Sequence, residues 1–146
     1  MFEGLMTFFA SLGFGIIFDL RGTKLLVAAL NGMIGGVVYN VLLTNNSSTL
    51  SLFIASVVIS IISGIMARIL KCPTTTFLIA ALIPLVPGGQ MYYTVLDIIN
   101  NDITAAVNDG LKTVVDACSI VIGCVFISGL ELALNSLQRR YLNKHL

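Results

Sequence analysis

Long apolar stretches separated by short polar links run along almost the whole chain. A bilayer core about 30 Å thick is crossed by roughly 20 apolar residues in a helix. We interpret five stretches as transmembrane helices: Leu5–Leu20, Leu25–Leu43, Leu50–Leu70, Phe77–Ile99 and Val114–Leu134. The first is short, and the count of five depends partly on it. The pattern predicts an all-α integral membrane bundle that forms a single transmembrane domain over residues 1–146.

The fourth apolar stretch is interrupted near its middle by two prolines and two glycines, Pro84, Pro87, Gly88 and Gly89. Each proline removes an N–H and clashes with the preceding turn, and we expect the glycines to adopt conformations closed to other residues. The fourth helix is therefore predicted to be broken at Pro84–Gly89. Broken helices at membrane depth line substrate sites in transporters. The alternative is a structural kink that binds no ligand.

Polar residues follow the break at helical spacing: Gln90, Tyr93, Thr94 and Asp97. This spacing places them on one face of the second half-helix, and polar faces within spans normally line the bundle interior or a water-filled cavity. We take Gln90 and Tyr93 as candidate substrate residues and Asp97 as a candidate for proton coupling. The alternative is that Asp97 and the tyrosines lie at the headgroup level as interfacial anchors.

Two further polar residues lie in apolar stretches. Asn31 in the second span is a candidate substrate residue, although it could equally bond a neighbouring helix. Asp116 in the fifth span is a second candidate for proton coupling. Because Lys112 precedes Asp116 by four residues, an interfacial ion pair between the two is the other interpretation.

Small residues recur every four positions in three spans: Ala28, Gly32 and Gly36; Ser60 and Gly64; Ser119 and Gly123. Such stripes allow helices to approach closely. They predict helix packing or a partner surface, not chemistry.

The composition supports a membrane protein: 57% of the residues are hydrophobic, 10% are charged, and the mean hydropathy is +0.99. A soluble domain needs more charge to cover its surface. The net charge of +1 gives no basic face for nucleic acid. The sequence contains no catalytic constellation, so we expect no enzyme activity, metal or cofactor.

Basic residues indicate an orientation, because they concentrate in cytoplasmic loops. With five spans, seven of the eight fall on one side: Arg21, Lys24, Arg68, Lys71, Arg139, Arg140 and Lys144. Only Lys112 falls on the other side. The N-terminus is therefore predicted to lie outside and the C-terminus in the cytoplasm.

Several segments resemble the threonine/serine exporter family over nearly the whole chain. They are Gly13-Phe14-Gly15-Ile16-Ile17-Phe18-Asp19, Leu30-Asn31-Gly32-Met33-Ile34-Gly35-Gly36-Val37-Val38-Tyr39, Pro73-Thr74-Thr75-Thr76-Phe77 and Ile83-Pro84-Leu85-Val86-Pro87-Gly88-Gly89-Gln90-Met91-Tyr92-Tyr93. The resemblance implies that Pro84, Pro87, Gly88 and Gly89 are the motif residues. It also implies a multi-pass protein of the bacterial inner (plasma) membrane.

The resemblance further implies a split, two-component arrangement. This chain looks like the small C-terminal half, and the larger subunit would carry its own transmembrane helices and a cytoplasmic segment. The implied activity is export of threonine and serine, or of a small dicarboxylate such as succinate, coupled to the proton gradient. A homo-oligomer is a further possibility. The competing hypothesis is a non-transporting scaffold that stabilises a partner transporter.

Overall fold

The computed structural model describes the backbone of residues 2–143 and the side chains of residues 3–133. The described chain forms α1 (Phe2–Ile17), α2 (Thr23–Leu43), α3 (Ser48–Ile69), α4 (Thr74–Leu82), a 3-10 turn (Ile83–Leu85), α5 (Gly88–Ile99) and α6 (Ile103–Asn143). The predicted all-α class is confirmed.

Over the described residues, three helices are long and apolar enough to cross a membrane: α2, α3 and the Ile103–Ala133 part of α6. The pair of α4 with its 3-10 turn and α5 meets the same test as one bent span. Helix α1 is apolar but shorter. The predicted number of five therefore holds only if α1 also crosses the bilayer.

The link predicted between the fourth and fifth spans is much shorter than expected. The predicted spans Phe77–Ile99 and Val114–Leu134 leave residues 100–113 as a polar link, yet only Asn100, Asn101 and Asp102 separate α5 from α6. Asn101 adopts a positive φ of 60°, and the Asp102 carboxylate accepts a hydrogen bond from the Ala105 N–H at 3.0 Å. This N-cap contact starts α6 about three turns before the predicted boundary.

Small residues bring the helices of the bundle close together, as the stripes predicted. A Cβ on Gly32 would collide with Ser11 of α1, and one on Gly36 would collide with Thr7 of the same helix. Across the α3–α6 contact, a Cβ on Gly123 would meet Ser56. Close backbone approach of this kind is the usual basis of helix association in a membrane.

Helix α4 lies inside the bundle, in contact with α1, α2 and α3. Its Phe77, Ala80 and Ala81 side chains are fully buried. Phe77 packs in a core cluster with Ala28 of α2 and Ala67 of α3. Helix α5, in contrast, packs against α6 and has no buried residue.

The topology groups four of the five basic residues whose side chains are described at one end of the bundle. Arg21 and Lys24 lie at the junction of α1 and α2, and Arg68 and Lys71 lie at the junction of α3 and α4. The side chains of Arg139 and Arg140, and all of Lys144, lie outside the described residues. Which side of the membrane this end faces stays a prediction.

Candidate functional site

The break predicted at Pro84–Gly89 is present, with α4 and α5 bent by 46° relative to each other. Pro84 lacks the N–H that would continue the α-helical ladder, so the chain tightens into the 3-10 turn, closed by the Val86 N–H bonding to the Ile83 carbonyl at 3.2 Å. Pro87 occupies the N-cap position of α5. The two prolines thus end α4 and allow α5 to begin at Gly88, three residues after the last residue of the 3-10 turn.

The prediction that Gly88 and Gly89 adopt backbone conformations closed to other residues is wrong. Neither Gly88 nor Gly89 has a positive φ, so both backbones are open to any L-residue. A Cβ built on either one meets no heavy atom within 4 Å. The described chain therefore requires glycine here neither for backbone conformation nor for packing, and the space beside this backbone is free for another molecule.

A cavity of about 300 Å³ opens beside the break. The break contributes every residue from Pro84 to Gln90 to its wall. Helices α1, α2 and α3 supply the remaining lining: Thr7, Gly36, Tyr39, Asn40, Ser48 and Leu52. The volume lies at the lower end of the range typical of small-molecule sites, about 300–1,000 Å³.

The first turn of α5 lies in the wall of this cavity. No side chain caps it, and the Gly88 N–H turns back to the Val86 carbonyl. The N–H groups of a first helical turn have no partner within the helix and lie at the positive end of its dipole. The Gln90 Oε1 atom is buried without a hydrogen-bond partner. Such a turn is suited to binding a carboxylate or another anionic group.

The polar stripe predicted along α5 divides after its first member. Gln90 lines the cavity, whereas Tyr93 is 56% exposed and is not part of its wall. The Thr94 hydroxyl donates to the Gln90 carbonyl at 2.8 Å, and its methyl group lies beside Gly110 of α6. Asp97 is half-buried on the same helix.

Asn31 also lies away from the cavity and bonds a neighbouring helix. Its Nδ2 donates to Ser63 Oγ at 2.9 Å and to the Ile59 carbonyl at 3.2 Å, both in α3. Its Oδ1 is buried without a partner. The helix-bridging interpretation accounts for these contacts.

The ion pair predicted between Asp116 and Lys112 is wrong. Asp116 is fully buried and faces α3, where it accepts hydrogen bonds from Ser48 Oγ at 2.8 Å and from Thr49 Oγ1 at 2.5 Å. Lys112 is exposed. One turn of α6 separates Lys112 from Asp116, but the hydrogen bonds of the carboxylate are made with α3.

Sequence reasoning missed the polar residues that α1, α2 and α3 bring to the cavity: Thr7, Tyr39, Asn40 and Ser48. Their sole signal was polarity at the ends of apolar stretches, which is also the pattern of ordinary interfacial residues. Over residues 3–133, no group of three or more His, Cys, Asp or Glu side chains could hold a metal ion.

The comparisons with known proteins give one match. A family model described as "Threonine/Serine exporter, ThrE" matches residues 3–130. Searches of curated proteins and of solved structures found no match. The matched range contains every residue that lines the cavity.

Proposed function

The chain belongs to the threonine/serine exporter family, and we propose that it is one subunit of a two-component secondary exporter of a small amino acid or dicarboxylate. The family supports a role in transport. The substrate, the coupling to protons and the division into two subunits are part of the proposal.

The observation that carries the proposal is the position of the break in the wall of the cavity. Gly88 and Gly89 leave the first turn of α5 uncovered. Gln90, whose Oε1 atom is buried without a hydrogen-bond partner, is part of the wall of the adjacent cavity. In this proposal the substrate carboxylate accepts hydrogen bonds from the free N–H groups of that turn. The glycines allow the carboxylate to approach the backbone closely.

The cavity lining favours an amino acid over a dicarboxylate. No charged side chain is among the described residues that form its wall. A doubly charged dicarboxylate would enter without a cationic partner, at a high desolvation cost. A zwitterion carries no net charge, and its ammonium group can donate to the Asn40, Tyr39 or Ser48 oxygens. Threonine and serine are therefore the substrates that we favour.

A partner subunit is part of the proposal because this chain has few spans and a largely uncovered α5. Alternating-access transporters commonly pair two repeats across a central site. Exposed apolar side chains of α5, among them Tyr92 and Ile99, are suited to contact with a second set of helices or with lipid. We propose a larger subunit with its own transmembrane helices and a cytoplasmic segment, in a bacterial inner membrane with the N-terminus outside.

The test is transport of labelled threonine, serine and succinate in proteoliposomes that contain this chain alone, or this chain with its candidate partner. We expect threonine and serine to move only when both proteins are present. Transport by this chain alone would instead indicate a homo-oligomer. Absence of transport under both conditions would contradict the exporter assignment.

A double variant, Pro87→Ala with Gly88→Ala, tests the role of the break. Removal of the proline restores a donor and favours a continuous helix, so we expect transport to be lost while membrane insertion is retained. Gly13→Ala is the matched control, because a Cβ on Gly13 also meets nothing within 4 Å and Gly13 lies outside the cavity wall. Equal transport by the two variants would contradict the site.

The scaffold hypothesis remains the second candidate, and the close contacts of α2 with α1 favour it. If the chain only supports its partner, substitution at Gln90 should be tolerated, whereas Gly32→Ala and Gly36→Ala should destroy activity through packing. If it lines the pathway, Gln90 variants should change substrate affinity in correctly assembled protein.

A further inference from the structure

Asp116 lies one hydrogen bond behind the wall of the cavity. It is the one charged side chain that is fully buried among residues 3–133, and it is not part of the wall itself. Ser48 connects the two, because its hydroxyl donates to Asp116 Oδ2 at 2.8 Å and the same residue lines the cavity. Thr49, which is outside the wall, donates to the other carboxylate oxygen. The bundle therefore keeps a carboxylate next to the cavity without exposing it there.

The carboxylate fixes what Ser48 can offer to a molecule in the cavity. An ionised carboxylate only accepts hydrogen bonds, and a serine hydroxyl has one hydrogen to donate and two lone pairs with which to accept. Because Ser48 gives its hydrogen to Asp116, its oxygen is left as an acceptor alone. A group that donates hydrogen bonds can bind this oxygen, whereas a carboxylate cannot.

Asn40 of α2 contributes a second acceptor to the same wall. Its Nδ2 donates to the Gly36 carbonyl at 2.9 Å, which orients the amide and leaves Oδ1 to accept. Asn40 and Gly36 both belong to the wall. Ser48 and Asn40 therefore supply acceptor oxygens from two helices, and an ammonium group, with three hydrogens to donate, is suited to such a pair.

The charge of Asp116 favours the same kind of group. Among residues 3–133 it takes part in no ion pair, and Lys112, the basic residue one turn away on α6, is exposed. A buried carboxylate without a cationic partner is costly, and two hydroxyl bonds offset only part of that cost. An ammonium group bound to Ser48 would supply the missing positive charge in surroundings where water screens little.

We propose that Asp116 is a positioning residue that makes the cavity selective for the ammonium group of an amino acid, because it holds Ser48 as an acceptor and supplies the opposite charge. The inference rests on the proposed function and deepens it. The substrate carboxylate binds at the first turn of α5, and the ammonium group binds at Ser48 and Asn40. Asp116 does not touch the substrate and acts through Ser48. This role sets selectivity in binding and is separate from the coupling of transport to protons.

The test compares serine with 3-hydroxypropionate, which is serine without its amino group. Binding of both labelled compounds is measured at neutral pH to the full chain in nanodiscs, assembled with its partner if transport requires it. The wild type should bind serine about tenfold or more tightly than 3-hydroxypropionate, as expected for hydrogen bonds to a charged group. Asp116→Asn removes the negative charge and replaces one acceptor with a donor. Its affinity for serine should fall about tenfold or more, whereas its affinity for 3-hydroxypropionate should not fall.

Three further variants separate selectivity from a structural role. Ser48→Ala removes the acceptor itself and should lose the preference for serine, as Asp116→Asn does. Thr49→Ala is the matched control, because it also removes one hydrogen bond to Asp116 but from a residue outside the wall. The preference for serine should remain in this control. Asp116→Glu keeps a carboxylate that only accepts hydrogen bonds, and it should retain most of the preference.

The pattern across the two compounds decides the outcome. An equal loss of affinity for both in Asp116→Asn would indicate a structural role and overturn the inference, and so would a wild type that binds the two equally. In either case a carboxylate still binds, so the proposed function stands. If the wild type binds neither compound, the proposed function fails and the inference fails with it. If Asp116→Asn does not fold, an unchanged preference for serine in Ser48→Ala is sufficient to overturn the inference.

Discussion

The two halves of the bent span differ sharply in what surrounds them. Helix α4 is buried among α1, α2 and α3, with Phe77, Ala80 and Ala81 inaccessible to solvent or lipid. Helix α5 has no buried residue and exposes Met91, Tyr92 and Val95. Pro84 and Pro87 therefore separate α4, which packs inside the bundle, from α5, whose surface is largely exposed.

This difference indicates a division of labour. The fixed half anchors the break, because α4 cannot move without disturbing the cores that it shares with α2 and α3. The uncovered half presents its first turn to the cavity and its remaining surface to α6, to lipid or to a partner. Substitutions in α4 should therefore change stability, whereas substitutions at the start of α5 should change substrate binding.

The largest effect is expected for Phe77→Ala in α4. Removal of a fully buried aromatic ring leaves a cavity and typically costs about 3–5 kcal/mol in the free energy of unfolding. The matched variant in α5 is Tyr92→Ala, which removes a side chain that is 64% exposed. Unfolding of both variants in detergent micelles, followed by circular dichroism, measures the difference. Similar losses from the two variants would show that α5 is buried in the working protein.

An intermediate effect is expected from a pair of glycines. Gly32→Ala places a methyl group against Ser11, near the Ala81 backbone of α4, and overpacking of this kind costs about 1–3 kcal/mol. Gly89→Ala meets no atom and removes a flexible residue from a helix, which stabilises by about 1 kcal/mol. The same methyl group obstructs the free N–H groups, so serine binding should weaken about tenfold, or 1.4 kcal/mol.

The outcome of this pair is decided by measuring stability and binding on the same preparations. Gly32→Ala should lower the unfolding midpoint, and the protein that stays folded should bind serine with nearly wild-type affinity. Gly89→Ala should show the reverse pattern. If Gly89→Ala binds serine as the wild type does, no carboxylate approaches this backbone, and the open space has another purpose.

The division between α4 and α5 was only partly predictable from the sequence. The position of the break was predictable, because a proline has no backbone N–H in any structure and Pro84 and Pro87 therefore interrupt the helical hydrogen bonds. The start of α6 was missed because the cap that Asp102 provides lies within a polar segment typical of loops. The partners of Asp116 lie 67 and 68 positions earlier in the chain, and no local pattern connects residues that meet only through tertiary packing.

The smallest effect is expected within α5 itself, where Gln90 and Tyr93 were predicted to share one role. Gln90 is part of the cavity wall and its Oε1 atom has no hydrogen-bond partner, whereas Tyr93 is exposed and lies outside that wall. Gln90→Ala removes one neutral hydrogen-bonding group from the site, so serine affinity should fall about two- to tenfold, as for a hydrogen bond of about 0.5–1.5 kcal/mol. Tyr93→Ala should leave binding to the isolated chain unchanged. A larger loss for Tyr93→Ala than for Gln90→Ala would place the substrate along α5 instead of at its first turn. Loss of transport in Tyr93→Ala with intact binding would identify its exposed ring as a contact in the assembled exporter.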